Sequence, residues 1–148
     1  MLSVIWSDLK EQLVDLGFEE DEITSEDEYG RLIRKSVNRA LDIVYQTVAL
    51  RIEGYYKVTQ TWGYEDEEGK WVIPQPEHIT AETPDDTDLN LADNLTFLVA
   101  LLAAHYIWLD DDITKATMYW NEYDQLKQEI IDIGRTPRNA QITGGVSF

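Results

Sequence analysis

The sequence contains no cysteine. Disulfides, thiolate catalysis and Cys-ligated zinc are therefore excluded, and the redox compartment leaves no mark. Basic side chains are scarce: 12 Lys and Arg stand against 29 Asp and Glu, for a net charge of −17. Nucleic-acid affinity rests mostly on cations at phosphates, so a phosphate-gripping protein is disfavoured. An anionic membrane surface is disfavoured for the same reason. Long apolar runs are also missing. The longest, Phe97 to Ala104, is far shorter than the ~20 residues a membrane span needs. The first basic residue is Lys10, so the N-terminal stretch lacks the basic segment of a secretory signal. The chain reads as soluble and made without a signal.

What remains is enough for one domain. At 148 residues, about two thirds of the unfolded surface can be buried. The chain is 43% hydrophobic, with five Trp and eight Tyr to fill a core. A disordered chain would be poorer in both.

Periodicity predicts a mainly α protein. Leu2, Ile5, Leu9, Leu13 and Leu16 mark a short amphipathic helix over 2–16, stopped by Gly17. An acidic connector, Glu19 to Glu22, follows. Ser25 and Glu28 have the spacing of a capping box and open a long helix. Its face runs through Tyr29, Ile33, Val37, Ala40, Val44 and Val48 to an end near Glu53-Gly54. From Tyr55 the period becomes two, and a β-hairpin is expected over about 55–73 with an acidic tip at 63–69. Residues 75–88 read as irregular. A third helix, apolar nearly all round, is expected from Asn90 to about Leu109 and must be covered on several sides. Asp110 to Asp112 breaks it and caps a fourth, which Gly134 ends. The expected architecture is a small four-helix bundle, residues 1–134, with the hairpin protruding between its second and third helices. Residues 135–148 form an extended C-terminal arm.

No catalytic constellation emerges. Asp86, Asp88 and Asn90 imitate the opening of a calcium loop, but Leu91 stands where Gly is needed and Phe97 where the bidentate Glu is needed. A solvated turn before a helix is the plainer account. Glu65 to Glu68 cluster on a loop tip, where carboxylates behave alike; acid–base catalysis needs two in different environments. His105 lies in the apolar helix as a hydrogen-bonded core or interface group, and His78 lies in a loop. The reading is a protein without enzymatic activity, cofactor or metal.

Interaction features are better supported. Arg31, Lys35 and Arg39 follow an i, i+4, i+8 spacing along the long helix, flanked by Arg34. Either this is a solvated face or it pairs with acidic loops of a neighbouring copy, since like charges so spaced repel mildly. The arm holds Arg135 and Arg138 and no acid, with Gly144-Gly145 and the apolar anchors Ile142, Val146 and Phe148. An extended peptide of this kind either frays or adds to a sheet edge or groove of another protein.

Together the layout resembles the head–tail connector, or adaptor, proteins of tailed bacteriophages. The features that carry the resemblance span roughly residues 20–148. They are the long helix with Ser36-Val-Asn-Arg-Ala-Leu-Asp-Ile-Val44, the hairpin, and Asp88-Leu-Asn-Leu-Ala-Asp93 leading into Leu98-Val-Ala-Leu-Leu-Ala-Ala-His-Tyr106. A helix with Ala116, Tyr119, Trp120 and Tyr123 and a C-terminal extension complete them. The resemblance implies a structural virion protein, assembled in the host cytoplasm. Copies form a ring beneath the portal protein, extend the DNA channel and meet the tail or a tail-completion protein. Packaged DNA passes nearby without specific binding, and no membrane is involved. By the same resemblance Arg135, Arg138, Ile142, Gly144, Gly145, Val146 and Phe148 form the portal-docking arm. The hairpin tip, Tyr64, Glu65, Asp66, Glu67 and Glu68, contacts the channel or tail, and Arg31, Lys35 and Arg39 face a neighbouring subunit. A carboxylate-rich lumen would let the duplex slide, the converse of phosphate capture. The rival readings are an acidic DNA mimic that inhibits a nucleic-acid-binding protein, a metal–carboxylate enzyme and a monomeric interaction module.

Overall fold

A computed structural model of the chain describes residues 3–49, 64–72 and 74–135. The described residues are mainly helical, with small two-stranded antiparallel sheets. The order is β1 (Ser3–Ile5), α1 (Trp6–Asp15), α2 (Glu20–Thr24), α3 (Glu28–Val44), a π-helical turn (Tyr45–Ala49), β2 (Tyr64–Glu65), β3 (Trp71–Val72), β4 (Asp88–Ala92), a 3-10 turn (Asp93–Leu95), α4 (Thr96–Trp108) and α5 (Ile113–Arg135).

The near-uniformly apolar α4 is the axis of the fold. Leu98 through Ala104 and Ile107 are all buried, and α1, α3 and α5 pack on this helix. The sequence required such cover, because an all-round apolar helix is soluble only when enclosed. Each covering helix contributes a stripe: Leu9 and Leu13 from α1, Ile33, Val37, Ala40, Leu41 and Val44 from α3, and Ala116, Tyr119 and Tyr123 from α5. Three long-range bonds tie the layers together. Tyr119 Oη donates to the Leu16 carbonyl at 3.2 Å, and Asn38 exchanges two bonds with the Ile79 backbone at 2.7 and 3.0 Å.

Several boundaries differ from the sequence expectation. The first helix starts at Trp6 rather than Leu2, because Ser3–Ile5 pairs with β4 as a strand. Two β-branched residues, Val4 and Ile5, suit that role. Ile5 donates its amide to Asp8 Oδ2 at 3.3 Å, closing the strand-to-helix junction. The third helix begins at Thr96 rather than Asn90, since Asp88–Ala92 is the partner strand. Leu89 and Leu91 are its buried side, a period-two signal inside the stretch read as helix. Register shifts between Ser3↔Ala92 and Ile5↔Asp88, so β4 is bulged. Asn90 takes up the irregularity with φ 55, a conformation that Asn tolerates better than most residues. Asp88 Oδ1 accepts from its amide at 2.8 Å, and its own side chain donates to the Gln75 carbonyl at 3.2 Å.

The Ser25–Glu28 capping box does not form. Ser25 ends the short α2 instead, and Asp27 caps α3, its Oδ1 accepting from the Gly30 amide at 2.8 Å. α3 is regular only to Val44; the expected end near Glu53-Gly54 lies outside the described residues. The last helix is capped by Asp112, whose Oδ1 accepts from the Lys115 amide at 3.0 Å. It runs through Gly134 to Arg135, so Arg135 closes the helix rather than opening the arm.

Candidate functional site

The acidic hairpin tip is tighter than its sequence suggested. Tyr64 pairs with Val72 and Glu65 with Trp71, so Tyr64 and Glu65 belong to strand and the turn is 66–70. Asp66 builds that turn. Its Oδ1 accepts from the amides of Glu68 and Lys70 at 2.9 and 2.8 Å, and its amide donates to the Lys70 carbonyl at 2.8 Å. Asp66 is thus committed to local structure, whereas Glu65, Glu67 and Glu68 are exposed. The strand expected at 55–62 lies outside the described residues, as do Arg138, Ile142, Gly144, Gly145, Val146 and Phe148.

The basic residues of α3 divide by environment. Arg31, Lys35 and Arg39 are exposed, as their spacing implied, while Arg34 is buried. Arg34 Nη1 donates to the Ile23 carbonyl at 2.9 Å and the Ser25 carbonyl at 2.5 Å, capping the C-terminus of α2. It is a fold residue. The Arg39 guanidinium lies 4.0 Å over the Tyr106 ring, a cation–π contact within the body. Arg31 and Lys35 make no ion pair among the described residues.

The other close charge cluster is a latch. Lys10 is 5% exposed; its Nζ bonds Asp85 Oδ1 at 2.6 Å and Glu20 Oε1 at 3.3 Å, joining α1, α2 and the loop before β4. Burial lowers the Lys10 pKa, but the bonds to Asp85 and then Glu20 outweigh it and leave it above the ordinary lysine value. This contact was not legible in sequence, because Asp85 lies 75 residues from Lys10 in the chain.

Both histidines are engaged. His105 Nδ1 lies 2.8 Å from the Ala116 carbonyl, and its ring lies 5.2 Å from that of Trp120. His78 Nε2 lies 2.9 Å from both Asp42 carboxylate oxygens. Among the described residues no three His, Asp or Glu side chains converge to hold a metal ion. No helix among them is long and apolar enough to cross a membrane.

Exposed apolar surface concentrates on α5 and the start of α4. Ile113 is 63% exposed, Met118 46%, Phe97 40% and Trp120 38%. Two open grooves run along this side. One, about 530 Å³, is lined by Ile113, Thr117, Met118 and Asn121 among others. The second, about 310 Å³, lies between the two helices over Phe97, Leu101 and Leu126 and is rimmed by Glu122, Gln125 and Glu129. Sequence reasoning named none of these groove residues as a site, because the cleft exists only once α5 has docked on α4. No family model matches this chain, and neither a curated protein nor a solved structure matches it.

Proposed function

We propose that this chain is a structural subunit of a ring-shaped head–tail adaptor in a tailed bacteriophage virion. In that role copies of it dock beneath the portal protein, extend the DNA channel and connect to the tail. The finer architecture of the proposal is a four-helix body, a hairpin projecting between the second and third long elements, and a C-terminal arm reaching the portal.

One observation carries the reading. Among the described residues the core closes around α4, yet Ile113, Met118 and Trp120 of α5 remain exposed to water. Apolar surface left over after the core has closed is characteristic of a component made for assembly. The exposed cations of α3, Arg31, Lys35 and Arg39, supply a second, chemically different patch. Rings are built from head-to-tail contacts, which require two unlike patches on each subunit. The net charge of −17 suits a component past which DNA moves without adhering.

The test is to mix the purified chain with its cognate portal and image the product by electron microscopy, with and without residues 136–148. A ring seated on the portal with the full chain, lost on truncation, is the expected result. Absence of any portal complex with the full chain overturns the adaptor reading. A truncated chain that docks as well as the full one overturns the arm's role.

A further inference from the structure

Two helix faces on this molecule are complementary to each other, and among the described residues neither makes an ion pair that covers it: Arg31 and Lys35 pair with no carboxylate, and Arg39 lies over the Tyr106 ring. On α3, Arg31, Lys35, Arg39 and Leu32 fall within about 100° of the helix circumference. Leu32 is 37% exposed, an apolar residue at the edge of the cationic stripe, one turn before Lys35. Glu28 precedes this stripe at the helix start, and Asp42 beyond it is taken up by His78. On α5, Glu122, Gln125, Leu126 and Glu129 have the i, i+3, i+4, i+7 spacing and also share about 100° of arc.

The second face is the inverse of the first. Its floor is apolar, made by Phe97, Leu101 and Leu126, and its rim is anionic. Glu122 and Glu129 make no ion pair among the described residues. The two lysines of α5 are turned to other tasks: Lys127 Nζ lies 3.5 Å from Asp124, and Lys115 Nζ lies 4.1 Å over the Trp108 ring. At ~1.5 Å rise per residue, the two carboxylates stand about 10.5 Å apart along the axis and the outer cations of α3 about 12 Å. Flexible side chains absorb that difference.

We infer that the α4/α5 groove receives the α3 face of a second copy of this chain, with Leu32 over the Phe97–Leu126 floor and Arg31, Lys35 and Arg39 at the Glu122 and Glu129 rim. The contact deepens the adaptor reading and rests on it for its place in a ring. It replaces the acidic loops, expected from sequence, with a groove as the acceptor of the basic stripe. Because the two faces are different surfaces, the contact is head-to-tail and leaves both faces open on a dimer, so it propagates until the ring closes.

The chain has no native thiol, which makes the test clean. Two single variants, Leu32→Cys and Gln125→Cys, are mixed and oxidised. The expected product is the mixed disulfide dimer in clear excess over both homodimers. A statistical mixture of the three overturns the contact. The second arm uses Arg31→Glu/Lys35→Glu and Glu122→Lys/Glu129→Lys, with each cysteine variant placed on the matching background and helicity checked by circular dichroism. Reversing either face alone should slow mixed cross-linking at least about tenfold, and reversing both should restore it. Equal rates in all four combinations overturn the charge pairing. The same charge variants added to the portal separate the two proposals. Normal rings from singly reversed chains refute the groove contact and leave the adaptor reading standing. Specific cross-linking without portal capture refutes the adaptor reading and leaves the contact standing.

Discussion

Replacing Gly30 with Ala sets two physical effects against each other at one position. Gly30 is inside α3, and helix propensity alone favours Ala over Gly by about 1 kcal/mol. The packing of the α2–α3 corner argues for the opposite sign. A Cβ built at Gly30 would fall well inside 3.0 Å of the Ser25 carbonyl oxygen, 2.8 Å from its carbonyl carbon and 2.9 Å from the Glu22 carbonyl oxygen. All three are backbone atoms, so no side chain can rotate away. Nor is the backbone free to yield. The Ser25 carbonyl accepts from the buried Arg34, and the Glu22 carbonyl accepts from the Ser25 amide at 3.3 Å. Overpacking costs about 1–3 kcal/mol, and a clash with fixed backbone belongs at the upper end. Subtracting the propensity gain leaves a net loss of about 2 kcal/mol, or roughly 6 °C in Tm at this chain length. Scanning calorimetry and urea unfolding followed by circular dichroism measure it, and hydrogen exchange should show the loss first in α2. A Tm equal to or above that of the parent chain would refute the reasoning, because it would mean that α2 moves aside at no cost.

Further outcomes follow from the charged contacts. At the latch, Asp85→Ala should cost about 2 kcal/mol, because it leaves a buried ammonium with one weaker partner, while Lys10→Met should cost under about 1 kcal/mol, because the stranded carboxylates are exposed and rehydrate; equal urea midpoints for the two variants would contradict this. The raised Lys10 pKa means that the latch contributes below about pH 10.4 and fades as pH climbs through the folded value, so parent and Lys10→Met melting curves should converge only in strong alkali. Asp27 behaves in the opposite sense. The Gly30 amide, followed by the Ser25 hydroxyl, holds its carboxyl below the usual range, so its contribution is present above about pH 3.9 and lost as pH falls through the folded value. The Tm difference between the parent and Asp27→Ala should therefore be constant from neutral pH to about pH 5 and shrink below about pH 4.

What the sequence disclosed depended on how local the cause was. The covered α4 was legible because a helix apolar nearly all round must be covered, whether by its own chain or by a neighbouring copy, and the Asp112 cap because it sits beside the helix it starts. The Ser25 cap failed to Asp27, two residues on, because both have the right chemistry and only the docking of α2 decides between them. The β1–β4 pair was invisible from either end, as each strand looked like the edge of a neighbouring helix until its partner was known. The basic stripe of α3 was legible from spacing alone. The groove of Phe97, Leu126 and Glu129 was not, because its two walls come from separate helices.

The pairing of Ser3–Ile5 with Asp88–Ala92 has a kinetic consequence. Closing a loop of roughly 80 residues carries a large entropic toll, whereas α4 and α5 meet across only a short turn. The ribbon should therefore zip last, after the rods have condensed, with its contacts absent from the folding transition state. Lesions in it, such as Val4→Ala, should accelerate unfolding and leave the refolding limb of the chevron nearly untouched.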